Sequence, residues 1–579
     1  MKSMPVSRYT LLTGATGLVG RYLVRDLLLR GHRLAIVVRS NRKETARERI
    51  EAILQMWESQ LGRVLPRPVC LEGDVGRPGL GMQAADREFV AQNCDRLIHN
   101  AAVLTFYGKD RTDDPWRTNL NGTRNTLDAC RELGVRDLHY VSTAYVCGTR
   151  EGVIREDELD CGQRFRNDYE QSKFLAEQTV RQADFLDQLT VYRPTVIAGD
   201  SQSGYNNTYH GLYMYLRLMS SLVWNQQPDP DGRRFTPVHL NMTGEEKRNI
   251  VPVDWVSAVF CRLFETPEAH GGVYHFAPKE PLTPREIIEA GYKYFNSYGV
   301  EFLGARANEL GSAGDIDNLY RENRGVYEPY EATDPTFDTA NTDKFTEDLP
   351  CPKIDEAMLH RFWKYGEQDR WGKRRYPKAV VPFWVEQQLE NPSLRACSTD
   401  APGQTGSLNG PLIVGLDVLG PGGGQWRLLL RGDRLEDAEP GLPSEAAAVL
   451  RIATDLWQRL PRLPRGAAIH RLGEHLEILN GAAVEVLAAW LYGALFPESP
   501  AVQETPRQTY GRNKEGQLVA SLESNRSALN GSVAVGRLFR RPERHILNHA
   551  HLSAAENAIV DASPMHDSGK TTGDYGKGI

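Results

Sequence analysis

From residue 9 to residue 195, short apolar runs alternate with longer stretches of helical periodicity. "YTLL" (9–12), "LAIVV" (34–38), "PVCLEGDV" (68–75), "DRLIHNAA" (95–102), "DLHYVST" (137–143) and "LTVYRPT" (189–195) each carry a run of buried-strand length. Between the first two, "LVGRYLVRDLLLRGH" (18–32) places Leu23, Val24, Leu27 and Leu28 on one helical face, with Gly31 as a stop. Further helices are predicted over about 43–61, 82–93, 116–133 and 168–187. Apolar strands separated by amphipathic helices predict an α/β fold with a doubly wound parallel sheet covered on both faces. Such a sheet receives ligands at the carboxyl ends of its strands.

Past residue 195 the alternation breaks down, and a small substrate lobe is expected over about 195–345. "NIVPVDWVSAVFCRLF" (249–264) reads as a strand end followed by a helix capped by Asp254. "LTPREIIEAGYKYF" (282–295) reads as a helix with Thr283 as N-cap, Pro284 at its first position and Glu286 closing a capping box. The first domain is expected to run over 1–388, and 389–411, rich in Pro, Ser, Gly and Asn, to be a linker. A small α+β module is expected over 412–497, with a hairpin at 412–432 and helices at about 444–460 and 481–496. Residues 498–579 lack sustained periodicity and read as a loosely ordered tail.

Two motifs carry chemistry. "TGATGLVG" (13–20) falls between the first strand and the first helix, where a dinucleotide-binding turn belongs. Gly14 permits the tight turn, Gly17 admits a pyrophosphate, and Gly20 lets the helix pack on the sheet. The second strand ends in "VVRSNRK", with Arg39 and Arg42 and no acid. Arginine there suits the 2′-phosphate of NADP(H), whereas an acid would suit the free ribose of NAD. "YEQSK" (169–173) sets Tyr169 and Lys173 one helical turn apart, just after "YVSTAYVCG" at the end of the fifth strand. Lys173 is expected to lower the phenol's pKa, so that Tyr169 can exchange a proton near neutrality beside the Thr143 hydroxyl.

Together, "TGATGLVG", "LEGDV", "HNAA", "NLNGT", "VSTAYV", "YEQSK" and "YRPT" resemble the extended short-chain dehydrogenase/reductase family over about residues 8–380. The resemblance implies a Rossmann core and a catalytic set of Thr143, Tyr169 and Lys173, with Asn119 supporting the proton relay. It also implies a cofactor-binding set. Gly14, Thr16, Gly17, Leu18 and Gly20 would form the phosphate loop, with Arg39 and Arg42 at the 2′-phosphate and Asp74 and Val75 at the adenine. Asn100, Ala101 and Ala102 would line the ribose side, Lys173 the nicotinamide ribose, and Pro194 and Thr195 the nicotinamide. The long insert 39–82 with "GDVGRPGLGM" is similar to the thioester reductase and fatty acyl-CoA reductase branch. That branch implies NADPH-dependent reduction of an acyl thioester, as acyl-CoA or bound to a carrier, to an aldehyde or alcohol. Residues 411–497 weakly resemble sterol carrier proteins, which implies lipid binding beside the alternatives of packing or dimerisation.

Composition narrows the remaining classes. A net charge of −6 gives no reason to expect nucleic acid. The eight cysteines form no C-x-x-C pair, which argues against a disulfide framework or a zinc site, and His545, His549 and His551 have no Cys or acid at ligand spacing beside them, so no metal is expected. The longest apolar stretch, 481–496, contains Glu485 and is shorter than a membrane span, and the start lacks a secretory signal, so the expected location is cytoplasmic. Two other readings stay open: a sugar-nucleotide epimerase, dehydratase or hydroxysteroid-type dehydrogenase, and a non-catalytic dinucleotide sensor. A homodimer is also compatible with the sequence.

Overall fold

The computed structural model describes residues 8–307, 312, 314–324, 330–374, 383–391, 411–479, 483–496, 509–512 and 518–521. Its strands begin with β1 (Tyr9–Thr13), β2 (Leu34–Val38), β3 (Val69–Glu72), β4 (Cys94–His99), β5 (Asp137–Val141), β6 (Val153–Ile154) and β7 (Gln188–Pro194). They continue with β8 (Val196–Ala198), β9 (Arg234–Leu240), β10 (Ile250–Pro252) and β11 (Val273–Phe276). Seven of them form one sheet in the order β11-β7-β5-β4-β1-β2-β3, and every pairing is parallel. β1 and β2 are buried throughout, as expected of strands covered on both faces.

The helices that follow the strands are α1 (Leu18–Leu29), α2 (Ala46–Leu61), α3 (Ala84–Asn93), α4 (Gly122–Leu133) and α5 (Asp168–Arg181). One π-helical turn, Trp116–Asn121, precedes α4. α5 ends at Arg181, earlier than the apolar pattern to 187 suggests, because Asp187 and Gln188 turn to bond the Arg136 carbonyl at the start of the next strand. α2 is fixed at its start by a Thr45–Glu48 capping box and near its end by the buried Arg67, which bridges Glu51 and Glu58.

The lobe is built on α6 (Leu212–Trp224) and α8 (Pro284–Phe295), with β9 paired to β12 (Ser297–Phe302); α7 (Val253–Glu265), expected in the lobe, instead packs with α1 in the core of the main sheet. Thr283 and Glu286 cap α8 as predicted. Asp254 does not cap α7: Pro252 holds the N-cap position, and the Asp254 carboxylate instead accepts from the Ser201 amide and hydroxyl. The lobe also extends beyond residue 345. Met358, Leu359, Phe362 and Trp363, on the helix Glu356–Gln368, share one buried cluster with Leu212, Tyr213 and Leu216 of α6.

After β13 (Thr336–Phe337), the C-terminal module contributes β14 (Leu412–Leu419), β15 (Gly424–Arg431), β16 (Arg434–Pro440), β17 (Ala448–Ala453) and β18 (Leu476–Ile478), ordered β16-β15-β14-β17-β18. The hairpin expected at 412–432 is present. Over 444–460 the structure departs from the expected helix: 448–453 is a strand, and only Thr454–Arg459 is α-helical. Parallel pairing of Val414 with Ala448 through Leu419 with Ala453 outweighs the helical reading of this Ala-rich segment. Of the expected tail, Thr509–Arg512 pairs antiparallel with Leu518–Ser521. The rest of 498–579, including His545, His549 and His551, lies outside the described residues, as do 392–410 of the linker.

The module meets the amino ends of the main sheet's strands, the end opposite the expected ligand site. The Tyr9 hydroxyl donates to Gln425 at 2.6 Å and accepts from the Leu442 amide at 2.8 Å. Both bonds are buried, so deleting that oxygen leaves polar groups without partners. Tyr9→Phe is expected to lower the unfolding free energy by about 1–3 kcal/mol in urea titrations, without moving the cofactor site.

Candidate active site

The turn after β1 folds tightly against the end of β4. Gly14 has φ +75°, and a Cβ there would lie 2.5 Å from the Asn100 carbonyl group. A Cβ on Gly20 would meet the Gly14 carbonyl oxygen at 2.1 Å. Only glycine fits either position, and Asn100 Nδ2 then donates to the Gly14 carbonyl at 3.1 Å. Gly17 is the N-cap of α1 and supplies no side chain to the helix's first amides, which stay available to an anion. These features fit a dinucleotide pyrophosphate.

The corner at the end of β2 is basic. Arg39 Nη1 lies 3.7 Å from Asp74 Oδ2, and its side chain is 60% exposed. Arg42 is exposed on the same loop. Arg49, in the first turns of α2, belongs to none of the sequence motifs, yet it donates to the Arg39 carbonyl at 2.6 Å and to Thr16 Oγ1 at 3.3 Å. Burial and the neighbouring Arg39 hold its guanidinium below the usual range. Arg21 donates to the Thr16 carbonyl at 3.1 Å. Asp74 Oδ1 accepts from the Gly76 amide, and Val75 packs beside Gly122 with its carbonyl bonded by Asn125. The Ala101 amide donates to Thr13 Oγ1 at 3.3 Å.

The catalytic candidates come together at the carboxyl ends of β5 and β7. Thr143 is buried, its hydroxyl bonded to the Tyr169 phenol and 3.4 Å from the Pro194 carbonyl. Ser142, its neighbour, donates to Glu177 at 2.6 Å. Of these two hydroxyls, Thr143 is the one directed at the phenol. Lys173 is buried and donates to the Val141 carbonyl at 2.8 Å and the Tyr140 hydroxyl at 3.1 Å. Asn119, in the π-helical turn, bonds Val103 through its amide and carbonyl groups and donates to Ser172 Oγ at 3.1 Å. Thr195 Oγ1 donates to the Phe276 carbonyl at 3.1 Å.

One expectation reverses. Burial pushes the Tyr169 phenol up to about 12, with the Thr143 hydrogen bond only partly offsetting it. Lys173 does not lower it, because the ammonium is held by Tyr140 and Val141. Lys173 itself is pulled down to about 8 by burial, against the opposing pull of Glu177.

A cavity of about 480 Å³ joins these groups. Gly17, Leu18, Asn100, Ala102, Thr143, Tyr169, Lys173, Pro194 and Thr195 line its sheet end. Tyr215, Leu218, Met219 and Leu222 of α6, Val238 and Leu240 of β9, and Ile287 and Ile288 of α8 line the lobe end. The segment 204–224 supplies part of the lining, but not through Tyr213. That side chain is 1% exposed, donates to the Gly204 carbonyl and packs 5.6 Å from the Phe362 ring, so it belongs to the lobe core. The helical register decides which residues face the cavity.

The opposite, amino end of the strands brings Asp137, His139 and His270 within 4.8 Å of one another through metal-type ligand atoms. Sequence spacing could not join them, because His270 lies far downstream. Arg96, 4.0 Å from Asp137, sets a positive charge against a cation there. The seven described cysteines are unpaired.

The glycine turn and the all-parallel sheet are those of a Rossmann-like NAD(P)-binding fold. Residues 12–260 match the NAD-binding family model described as Male sterility protein. A linear gramicidin synthase of Brevibacillus parabrevis is 30% identical over 386 residues, 61% of this chain and 7% of that protein. Aldehyde reductase lnaA of Aspergillus flavus is 28% identical over 400 residues, 61% of this chain and 35% of that protein. The chain therefore spans well under two thirds of the length of these relatives. The crystal structure of the terminal R domain from the myxalamid PKS-NRPS biosynthetic pathway aligns with TM-score 0.53 and 26% identity, covering 64% of this chain and 94% of that one. Among the described residues, no helix is long and apolar enough to cross a membrane.

The Lys173 ammonium is protonated below about pH 8 and neutral above it. A step that needs the charge is expected to be constant below that pH and to slow above it. Lys173→Arg, which stays protonated, should abolish that alkaline limb in pH–rate profiles even where it lowers the absolute rate.

Proposed function

We propose that the chain is an NADPH-dependent reductase of apolar acyl thioesters, yielding an aldehyde or alcohol. The observation that carries this reading is the single cavity that runs from the dinucleotide turn, past Thr143, Tyr169 and Lys173, into an apolar lobe. Along α6, Leu222 lies about 16 Å from Gly211 at 1.5 Å per residue, and both line that cavity. A space of this reach suits an extended hydrocarbon chain better than a sugar nucleotide, whose hydroxyls would meet Leu, Ile and Val side chains. The relatives' names, among them an aldehyde reductase, point the same way.

When bound, NADPH supplies the hydride. Thr143 donates to the substrate carbonyl oxygen and orients it beside Tyr169. Tyr169, with its phenol held protonated by burial, gives its proton to the oxygen as negative charge develops there. Lys173, its ammonium held by Tyr140 and Val141, would bond the nicotinamide ribose. A thioester carbonyl first yields the hemithioacetal, which releases the thiol and aldehyde; a second round converts aldehyde to alcohol. The thiol carrier is coenzyme A or a carrier-bound pantetheine arm, and the working location is the cytoplasm.

NADPH is favoured over NADH because Arg39 and Arg49 crowd two positive charges at the end of β2, and a 2′-phosphate would neutralise them. Arg42 is close enough in the chain to join them. We assign the second domain, 412–497, a stabilising role at the amino end of the sheet; the sterol-carrier likeness stays a proposal without a ligand.

Product analysis with NADPH and a panel of acyl-CoA thioesters tests the reading: aldehyde or alcohol and free thiol are expected, with turnover reduced about a hundred- to ten-thousandfold in Tyr169→Phe at unchanged NADPH affinity. Oxidation of NADPH without thiol release, or full activity of Tyr169→Phe, would reject it. Leu222→Trp is expected to exclude the longest chains that wild type accepts, whereas Tyr213→Ala should lower stability and leave chain preference unchanged. Arg39→Ala should narrow the preference for NADPH over NADH by about one to two powers of ten, the worth of a charged hydrogen bond of roughly 1.5–3 kcal/mol.

A further inference from the structure

One wall of the cavity carries an acid that the steps above do not use. Asp334 is 7% exposed and lines the cavity together with Tyr145, which follows Thr143 by two residues. Its Oδ2 accepts from the Tyr145 hydroxyl at 2.9 Å and from the Asn249 amide at 2.8 Å. Its Oδ1 takes no hydrogen bond among the described residues, yet it is not among the buried polar atoms shut off from space. That oxygen therefore opens on the cavity.

No ion pair within 4 Å holds Asp334 among the described residues, although the charge of Arg248 partly offsets its burial. Arg248 also lines the cavity, but its guanidinium donates to the carbonyls of Lys247, Glu331 and Ala332 and so holds the segment that presents Asp334. Aromatic rings surround the acid on the catalytic side: Tyr145 lies 6.3 Å from Tyr330, Tyr330 5.4 Å from Phe106, and Phe106 6.4 Å from Tyr169. An acceptor held in such a wall is costly unless a ligand completes it. A plain hydrocarbon chain cannot do so.

We propose that Asp334 is a substrate-binding residue whose free Oδ1 accepts a hydrogen bond from an N–H or O–H group that the substrate carries near its reacting carbonyl. Two parts of a thioester offer that chemistry: the amide N–H groups of a pantetheine arm on the thiol side, and a hydroxyl or amide on the acyl side. The substrate class this selects is a functionalised or pantetheine-borne acyl group rather than a bare aliphatic carbonyl. The inference rests on the thioester reading for the identity of the ligand, but the contact itself is a matter of binding.

Asp334→Asn separates the contact from the architecture. Its amide oxygen can keep the bonds from Tyr145 and Asn249, while the cavity-facing atom becomes an NH₂ donor. Binding to the NADP⁺ complex is measured for three probes in both proteins: a long-chain methyl ketone, its β-hydroxy derivative, and the S-alkyl thioether of pantetheine. The expected result is a loss of about tenfold or more for one or both donor-bearing probes, with methyl ketone affinity and thermal stability unchanged. Loss confined to the thioether assigns the contact to the thiol arm, and loss confined to the hydroxy ketone assigns it to the acyl chain. Equal affinities in the two proteins, or an equal loss for all three probes, would overturn the proposal. If wild type reduces no thioester but the selective loss appears, the anchor stands and the reductase reading falls.

Discussion

The site depends on one buried charge pair. Glu177, fully buried on α5, accepts from Arg193 of β7 at 2.6 Å, from Arg181 at 2.8 Å and from Ser142 at the end of β5 at 2.6 Å. A carboxylate and a guanidinium at this depth are tolerable only when paired and fully hydrogen-bonded, so the pair fixes where α5 can lie on the sheet. Tyr169, Lys173 and Glu177 follow one another at four-residue spacing along one side of that helix. Locking Glu177 onto β5 and β7 therefore delivers the phenol and the ammonium to the same strand ends. Arg193 extends the network to the Glu156 carbonyl and His275 of β11, tying the last strand into the arrangement.

The parts legible in the sequence are those governed by local rules. The six strands and their helices follow from apolar period and glycine stops, and Gly14 and Gly20 have steric reasons that act within a single turn. Thr283 and Glu286 also act locally, and their capping box forms. What escaped depends on contacts distant in sequence. Arg49 reaches the basic corner at the end of β2 only because α2 packs back on the turn, and Asp334 lies on a segment that Arg248 holds to the cavity wall. Tyr213 and Tyr215 look alike as letters, yet one is core and the other lining. The Ala-rich segment at 448–453 reads as helix until a neighbouring strand pairs with it. The direction of the Tyr169 shift failed for a related reason: spacing brings Lys173 near, but burial and the ammonium's other partners set the balance.

The two ends of the main sheet have different tasks. At the carboxyl ends, the glycine turn, the Thr143–Tyr169–Lys173 cluster and the apolar lobe share one continuous space. At the amino ends, the C-terminal module closes over Tyr9 and Phe89; Gly441 lies so near that a Cβ would come within 2.5 Å of the Phe89 ring. That module fills its own interior with Leu416, Leu428, Leu450, Trp457 and Leu491.

The central claim is that this one cavity brings a thioester carbonyl to the hydride of NADPH with Tyr169 as proton donor. A single-turnover reaction with NADPH deuterated at the transferred position and a long-chain acyl-CoA tests it most directly. The account predicts that one deuterium appears at the carbonyl carbon of the aldehyde, and one equivalent of free thiol, for each NADPH oxidised in that first step. NADPH consumption that leaves the thioester intact, or aldehyde that carries no deuterium, would contradict it.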